Sequence, residues 1–357
     1  DGLRWTKPDL GLFEFQGSKQ NNIVWSGMGT HNFTPFRDAN PACPPQARYK
    51  ALATGHAKGR DGLIACQSPD GIHWTRISPD PVITKGAFDS QNLAFWDGFR
   101  GRYVDFHRGF RQGVRDIMTC TSSDFLHWTD PVWLEYSGAP REHLYTNAVM
   151  PYPGAPHLFI GFPTRFQPQR ADQVEPTFMT SRDGLRFHRW TDPLIPVTAP
   201  QDRSGNRSNY MAWGLLQLPG SPQQWSVYGT EAYYRGPASR LRRFVYRRDG
   251  LVSVRASAAG GELLTRPLRF QGDRLLLNFT AAGEIRVELQ DVDGKPLDGF
   301  RLEDCEALRG EQLDGAVGWK SKGSLAGLAG RPSRLRLVLR DADLYALQFV
   351  GGKQASR

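Results

Sequence analysis

One short segment recurs along the chain and limits what it can fold into. It reads Asp1-Gly-Leu-Arg-Trp5, Asp70-Gly-Ile-His-Trp74, Asp124-Phe-Leu-His-Trp128, Asp183-Gly-Leu-Arg-Phe187 and, in decayed form, Asp249-Gly-Leu-Val-Ser253. The copies start 54 to 69 residues apart. A strand-like run precedes each of the three middle copies, at 62–66, 116–120 and 176–180. Asp and Gly supply the chemistry of a tight hairpin turn, and the closing aromatic predicts packing on the outgoing strand. A repeat of roughly 40 to 60 residues built from short strands is that of a β-propeller, in which each blade is one four-stranded sheet. The spacing therefore predicts an all-β chain with a five-bladed propeller over residues 1–255. The turn joins the two outer strands of a blade, so a copy at residue 1 predicts an incomplete first blade whose inner strands lie upstream. A signal peptide would lie there too; secreted or periplasmic residence fits, and the compartment stays open.

Laying the repeats over one another aligns four first strands, beginning at Asn32, Asn92, Asn147 and Asn209, and four second strands, at 48–54, 101–108, 157–163 and 225–231. Residues 6–26 read as a strand, a turn and a strand entering the next blade. Beyond the small-residue stretch Ala256–Gly261 the repeat stops. Period-two runs follow at 275–279, 285–289, 334–339 and 345–349. Such alternation predicts half-buried antiparallel strands, and the economical reading is a β-sandwich over residues 262–352.

The net charge of +9 is carried by Arg scattered through the chain. Without a basic helix or a nucleic-acid module, this excludes nucleic acid as the expected partner. No apolar run reaches the roughly 18 residues of a membrane-spanning helix. The four cysteines, Cys43, Cys66, Cys120 and Cys305, show no metal-ligand spacing, so no metal is expected. No Gly-rich phosphate loop or nucleophile elbow is present, so no cofactor is expected. Oligomeric state has no signal here.

In a propeller the innermost strands line a funnel, and the loops entering them converge on its mouth. The ring of Asn32, Asn92, Asn147 and Asn209 is thus expected to face a ligand. Carboxylates lie close by: Asp89 before Asn92, Glu142 before Asn147, and Glu231 at a second-strand end. Phe88 and Asn92 predict a partly buried Asp89. Two carboxylates at one mouth are the equipment of glycosidic hydrolysis, one acting as acid and the other as base or nucleophile. Tyr145, Tyr210, Trp213, Tyr233 and Tyr234 offer faces for sugar rings, and His31, Arg108 and Arg207 offer donors to hydroxyls or a charged group. Asp38 falls at the far end of its strand, as Asp97 does, and reads as a turn residue; Asp105 is mid-strand and reads as an ion-pair partner.

The segments Ser68-Pro-Asp-Gly-Ile-His-Trp74 and Ser123-Asp-Phe-Leu-His-Trp128 are similar to blade segments of the five-bladed superfamily of glycoside hydrolase families 32 and 43. The stretches F-D-S-Q-N (88–92), L-Y-T-N (144–147) and T-E-A-Y-Y (230–234) resemble a bacterial group of family-32-like proteins. The resemblance implies a propeller glycosidase acting on carbohydrate, with a C-terminal β-sandwich as in family 32. The N-D-P-N-G, R-D-P and E-C motifs of family 32 are absent, and Phe36–Pro41 only echoes the first two, so fructan hydrolysis is not implied. Two alternatives remain. A sialidase-like hydrolase shares the D-G-x-x-W turn, but its six blades, arginine cluster and F-R-I-P motif are not found. A glycan-binding propeller would keep the aromatics and the Asn ring without carboxyl groups at the roughly 5 to 9.5 Å that hydrolysis requires.

Overall fold

The computed structural model describes residues 2–170, 172–195, 210–233, 236–320 and 323–351. They form an all-β protein in two compact units, one of Asp1–Leu216 with Ser226–Phe244, the other of Gln217–Trp225 with Val245–Arg357.

In the first unit, β1 (Thr34–Arg37), β2 (Tyr49–Ala57), β3 (Arg60–Ser68) and β4 (Thr75–Arg76) make one antiparallel sheet in chain order. Next, β5 (Leu93–Asp97), β6 (Arg102–Arg111), β7 (Val114–Ser122) and β8 (Val132–Trp133) repeat the same order. Then come β9 (Glu135–Ser137), β10 (His143–Thr146), β11 (Met150–Tyr152), β12 (Ala155–Gly161), β13 (Thr164–Gln167), β14 (Gln173–Pro176), β15 (Met179–Ser181) and β16 (Arg186–Arg189). Of these, β11, β12, β15 and β16 form the third repeat sheet, edged by β9 running parallel to β16. The remaining three, β10, β13 and β14, form a separate small sheet. A fourth sheet is built on β17 (Gln224–Glu231) and β18 (Arg240–Arg247), with bridges from Met211 to Gly229 and from Leu216 to Ser226 adding an inner edge. Alternation on the second strands sends Leu52, Val104, Phe106 and Phe159 into one shared apolar core with Leu63, Ile117 and Phe187, the burial that drives sheets to pack.

The recurrent segment is a capped turn between the third and fourth strands of a sheet. Ser68 Oγ accepts the N–H groups of Asp70 (3.2 Å) and Gly71 (2.9 Å), Asp70 Oδ1 accepts those of Ile72 and His73 (both 2.8 Å), and Trp74 Nε1 donates to the Gly71 carbonyl (2.9 Å). The same bonds recur around Ser122, Asp124 and Trp128, and around Ser181 and Asp183. Thus the working pattern begins two residues before Asp, at Ser122 rather than Ser123. His73 beside Asp70, with the backbone donors, holds that carboxyl well below the usual range. The Gly position is left-handed, with φ 80° at both Gly71 and Gly184. Phe125 takes φ 71° there and is 0% exposed. A left-handed residue with a Cβ costs roughly 1–2 kcal/mol, offset by packing the ring against Phe36, Tyr103 and Trp128.

The outermost copies depart from the expected pattern. Among the described residues 2–33 there is no strand, only a bridge between Phe15 and Ser18. The Asp249 copy has Arg247 where the three middle copies have the capping Ser, and Gly250 N–H bonds the Arg247 carbonyl instead (3.1 Å). The strand after it, β19 (Val254–Ala256), pairs with β23 (Arg334–Val350) in the second unit. That unit adds β20 (Gly261–Leu264), β21 (Arg274–Gln290) and β22 (Leu308–Ala316). Ala256–Gly261, expected as a linker, joins two strands that both pair with β23. The four expected alternating strands merge pairwise into β21 and β23, each of 17 residues. Register shifts at Asn278/Phe279 and Ala281/Glu284 bend the pair, as bulges do, so one five-stranded sheet curls around Leu277, Phe279, Val287 and Leu337.

Candidate active site

The F-D-S-Q-N stretch is where the sheets of the first unit meet. The Phe88 carbonyl accepts three bonds, from Thr54 Oγ1 on β2 (2.7 Å), Asn92 Nδ2 (2.9 Å) and Asn32 Nδ2 (3.2 Å). Ser90 Oγ donates to the Tyr145 carbonyl on β10 (2.6 Å). Gln91 Oε1 accepts the N–H groups of Asn147 (3.2 Å) and Ala148 (2.8 Å), and its Nε2 donates to the Met211 carbonyl (3.3 Å) at the edge of the fourth sheet. On the second sheet, Ala87 N–H bonds the Arg108 carbonyl of β6 (2.7 Å). Phe88, Ser90 and Asn92 are buried, yet the Asp89 side chain is 64% exposed. The partial burial expected of Asp89 is therefore not found. A carboxylate stands in solvent on a segment tied to the first and second sheets, to the small β10–β13–β14 sheet and to the edge of the fourth.

Asp89 is paired with the Arg108 guanidinium, which is itself only 3% exposed. Arg108 lies between the rings of Phe110 (5.3 Å) and Tyr145 (4.8 Å). Tyr145 meets Tyr210 edge-on at 5.6 Å, and Tyr210 meets Tyr233 likewise at 5.3 Å. Arg115, which sequence reasoning missed, stacks on the Tyr145 (5.1 Å) and Phe166 (4.7 Å) rings. Tyr145 and Tyr210, expected as faces for sugar rings, thus lie in a basic and aromatic cluster beside Asp89. Trp213 is not part of it: its indole donates to the Val149 carbonyl (2.8 Å) and stacks on Phe95 in the core.

The other two carboxylates have ion pairs of their own. Glu142, 23% exposed, binds Arg189 and lies 3.5 Å from Arg165. Arg165 stands opposite Leu144, and Phe166 opposite His143, in the β10–β13 register. Arg165 and Phe166 point to opposite faces of β13; Glu142 contacts Arg165 and Tyr145 meets the Phe166 ring edge-on at 6.0 Å, so the two lie on different faces. Glu231, 2% exposed, binds Arg240 (2.9 Å) and Arg242 (3.0 Å). Each of the three carboxylates is thus paired with arginine: Asp89 with Arg108, Glu142 with Arg165 and Arg189, and Glu231 with Arg240 and Arg242.

The asparagines are engaged with backbone. Asn92 Nδ2 also donates to the Ser90 carbonyl (3.0 Å), and Asn147 Nδ2 to the carbonyls of Gln91 (3.2 Å) and Phe106 (3.1 Å). Both residues are buried. Asn32, in a left-handed turn at φ 61°, and its neighbour His31 are the more accessible pair. Arg207, Asn209 and Tyr234 lie outside the described residues.

Asp38 is a turn residue as expected. It accepts the Asn40 N–H (2.9 Å) and the Tyr103 hydroxyl (2.7 Å) and pairs with buried Lys50. Burial, with Asp38 beside it, pushes the Tyr103 phenol up to about 12. Asp105 pairs with His107 rather than an arginine. All four cysteines are free thiols, and burial pushes that of Cys66 up to about 11.

No family model and no curated protein matches the chain. Among solved structures it is similar to a glycosyl hydrolase from Bacteroides ovatus, at 13% identity over 63% of this chain and 65% of that one, TM-score 0.39. It is also similar to an endo-1,4-β-xylanase from Bacteroides thetaiotaomicron, at 10% identity over 61% and 69%, TM-score 0.40. A third is β-1,2-mannobiose phosphorylase from Listeria innocua, at 13% identity over 56% and 54%, TM-score 0.41. The chain spans less than two thirds of the Bacteroides ovatus and Listeria proteins. These neighbours are carbohydrate-active enzymes of low identity, and the functional reading rests on this chain's own residues.

Proposed function

We propose that this protein hydrolyses a glycosidic bond, with Asp89 carrying the proton transfer. The observation behind this is the exposed Asp89 carboxylate on a largely buried segment held by the first, second and fourth sheets and by the small sheet of β10, β13 and β14. Such fixation is what positioned acid–base chemistry requires. The flanking Tyr145, Tyr210 and Tyr233 supply faces for sugar rings. In a two-carboxylate mechanism the second group is Glu142, the more accessible of the other two, and Glu231 would serve as a support. His31, Asn32 and Arg108 line the same mouth as substrate contacts. In this reading the four sheets are blades of a five-bladed propeller, residues 2–33 belong to the remaining blade, and the second unit is a sandwich made from one folded sheet.

A second reading, glycan binding without turnover, is favoured by the arginines that hold Glu142 and Glu231. The test is Asp89→Asn and Glu142→Gln against a panel of glycosides. Each should lower turnover by about 10²- to 10⁴-fold with sugar binding and folding retained. Unchanged turnover in both variants refutes the assignment. Tight binding with no hydrolysis across the panel establishes the second reading.

A further inference from the structure

We infer that His107 is a positioning residue for Asp89: its ring, doubly protonated against Asp105, grips the Lys85 carbonyl and holds the Asp89 loop on β6. This inference rests on the reading of Asp89 above. His107 Nε2 lies 2.9 Å from the Lys85 carbonyl, and Nδ1 contacts the Asp105 carboxylate. The carbonyl only accepts, and so does Asp105 as a carboxylate, so against ionised Asp105 each ring nitrogen carries a proton. A neutral imidazole would leave a lone pair facing the Asp105 carboxylate in a fully buried site, a costly arrangement.

The loop is shaped around this ring. A Cβ at Gly86 would lie 2.6 Å from His107 Cδ2, and the Phe88 ring packs at 5.4 Å. β6 therefore grips the loop at three successive points: Lys85 through His107, Ala87 through the Arg108 carbonyl, and Asp89 through the Arg108 guanidinium. The charged and titratable groups facing the ring are Asp105 from β6 and the Cys120 thiol from β7, whose Sγ lies 3.6 Å from Asp105. The Lys85 ammonium is turned away to Asp130 (2.8 Å). Asp105, His107 and Cys120 lie close enough to suggest a metal, but both ring nitrogens are taken by oxygen acceptors, as in a hydrogen-bonded relay. Burial pushes the imidazole's proton affinity down; Asp105 and the Lys85 carbonyl push it up and prevail.

Two double variants separate holding the loop from filling the core. Asp105→Asn with His107→Gln removes the charges but keeps a donor where Nε2 reaches Lys85. Asp105→Asn with His107→Asn keeps a donor only toward position 105. The first measurement is the ¹⁵N shifts of the wild-type ring from pH 5 to pH 8, a range through which an ordinary histidine of pKa about 6.5 becomes neutral. Both nitrogens should stay protonated; a ring titrating as an ordinary histidine overturns the proposal. Hydrogen exchange at the Ala87 amide should accelerate about tenfold in the Asn variant and not in the Gln variant. On a substrate whose turnover Asp89→Asn abolishes, the Asn variant should lose about 100-fold in kcat with KM little changed, and the Gln variant should recover most of it. Equal losses in the two variants refute positioning through Lys85. If Asp89→Asn leaves turnover intact, the reading of Asp89 fails, while ring protonation and Ala87 exchange still decide whether the clamp exists.

Discussion

Replacing Asn147 by Asp distinguishes an asparagine that reads a ligand from one that completes the backbone. The change is nearly isosteric, but it turns a double donor into an acceptor. Two bonds disappear, to the carbonyls of Gln91 (3.2 Å) and Phe106 (3.1 Å), in a residue that is 1% exposed. Each leaves a buried carbonyl facing oxygen, so at about 1–1.5 kcal/mol per bond the loss is about 2–3 kcal/mol. In a unit of this size that is a fall in Tm of roughly 4–12 °C. Thermal unfolding followed by circular dichroism reads it directly. Asn92→Asp should behave alike, since its Nδ2 serves the Phe88 (2.9 Å) and Ser90 (3.0 Å) carbonyls. An unchanged Tm with weakened sugar binding would refute the reasoning and restore the ligand-facing role.

Phe125→Gly should destabilise the first unit by a net 1–4 kcal/mol or so in urea melts, the lost core ring outweighing the relieved left-handed backbone; a gain in stability would show that the ring does not repay its conformation. Stability should also fall as pH rises. His107 has its proton affinity raised in the fold, so its contribution is fully present below the ordinary histidine value and is lost through the higher folded value. Denaturant midpoints measured from pH 6 upward should show this decline, and the double variant Asp105→Asn with His107→Gln should flatten it. On the acid side, Asp124 is held low against its burial by His127 and backbone donors. That stability is present above the ordinary carboxylate value and is lost as pH falls through the lower folded one.

Much of the architecture could be read from local chemistry. The Ser-x-Asp-Gly turn is satisfied within seven residues, so its copies mark sheet after sheet without knowledge of the rest. Second strands are legible from their apolar runs, and Asp89 from its place just before the strand-start Asn92. The copy at 249 departs from the pattern because Arg247 replaces the capping serine and the strand after it joins the second unit's sheet, and no strand follows the copy at 1 among the described residues 2–33. The long β21 and β23 read as four strands, since alternation is interrupted at each bulge although pairing is not.

What the tertiary structure decided is which side each group faces and who its partners are. Glu142 pairs with Arg165 and Arg189 while Tyr145 lies against Arg108 and Arg115, and only the register of β10 with β13 sorts these arginines between the two faces. Asn92 serves carbonyls of its own segment, whereas Asn147 and Asn32 serve carbonyls of distant segments, a need that arises only once those segments are brought together. His107 carried no signal of its own: its role comes from a loop 22 residues earlier in the chain folding back over its ring. Sequence specifies turns and strand faces, because these depend on neighbours a few residues away. The site depends on contacts between sheets, which exist only after the sheets have packed.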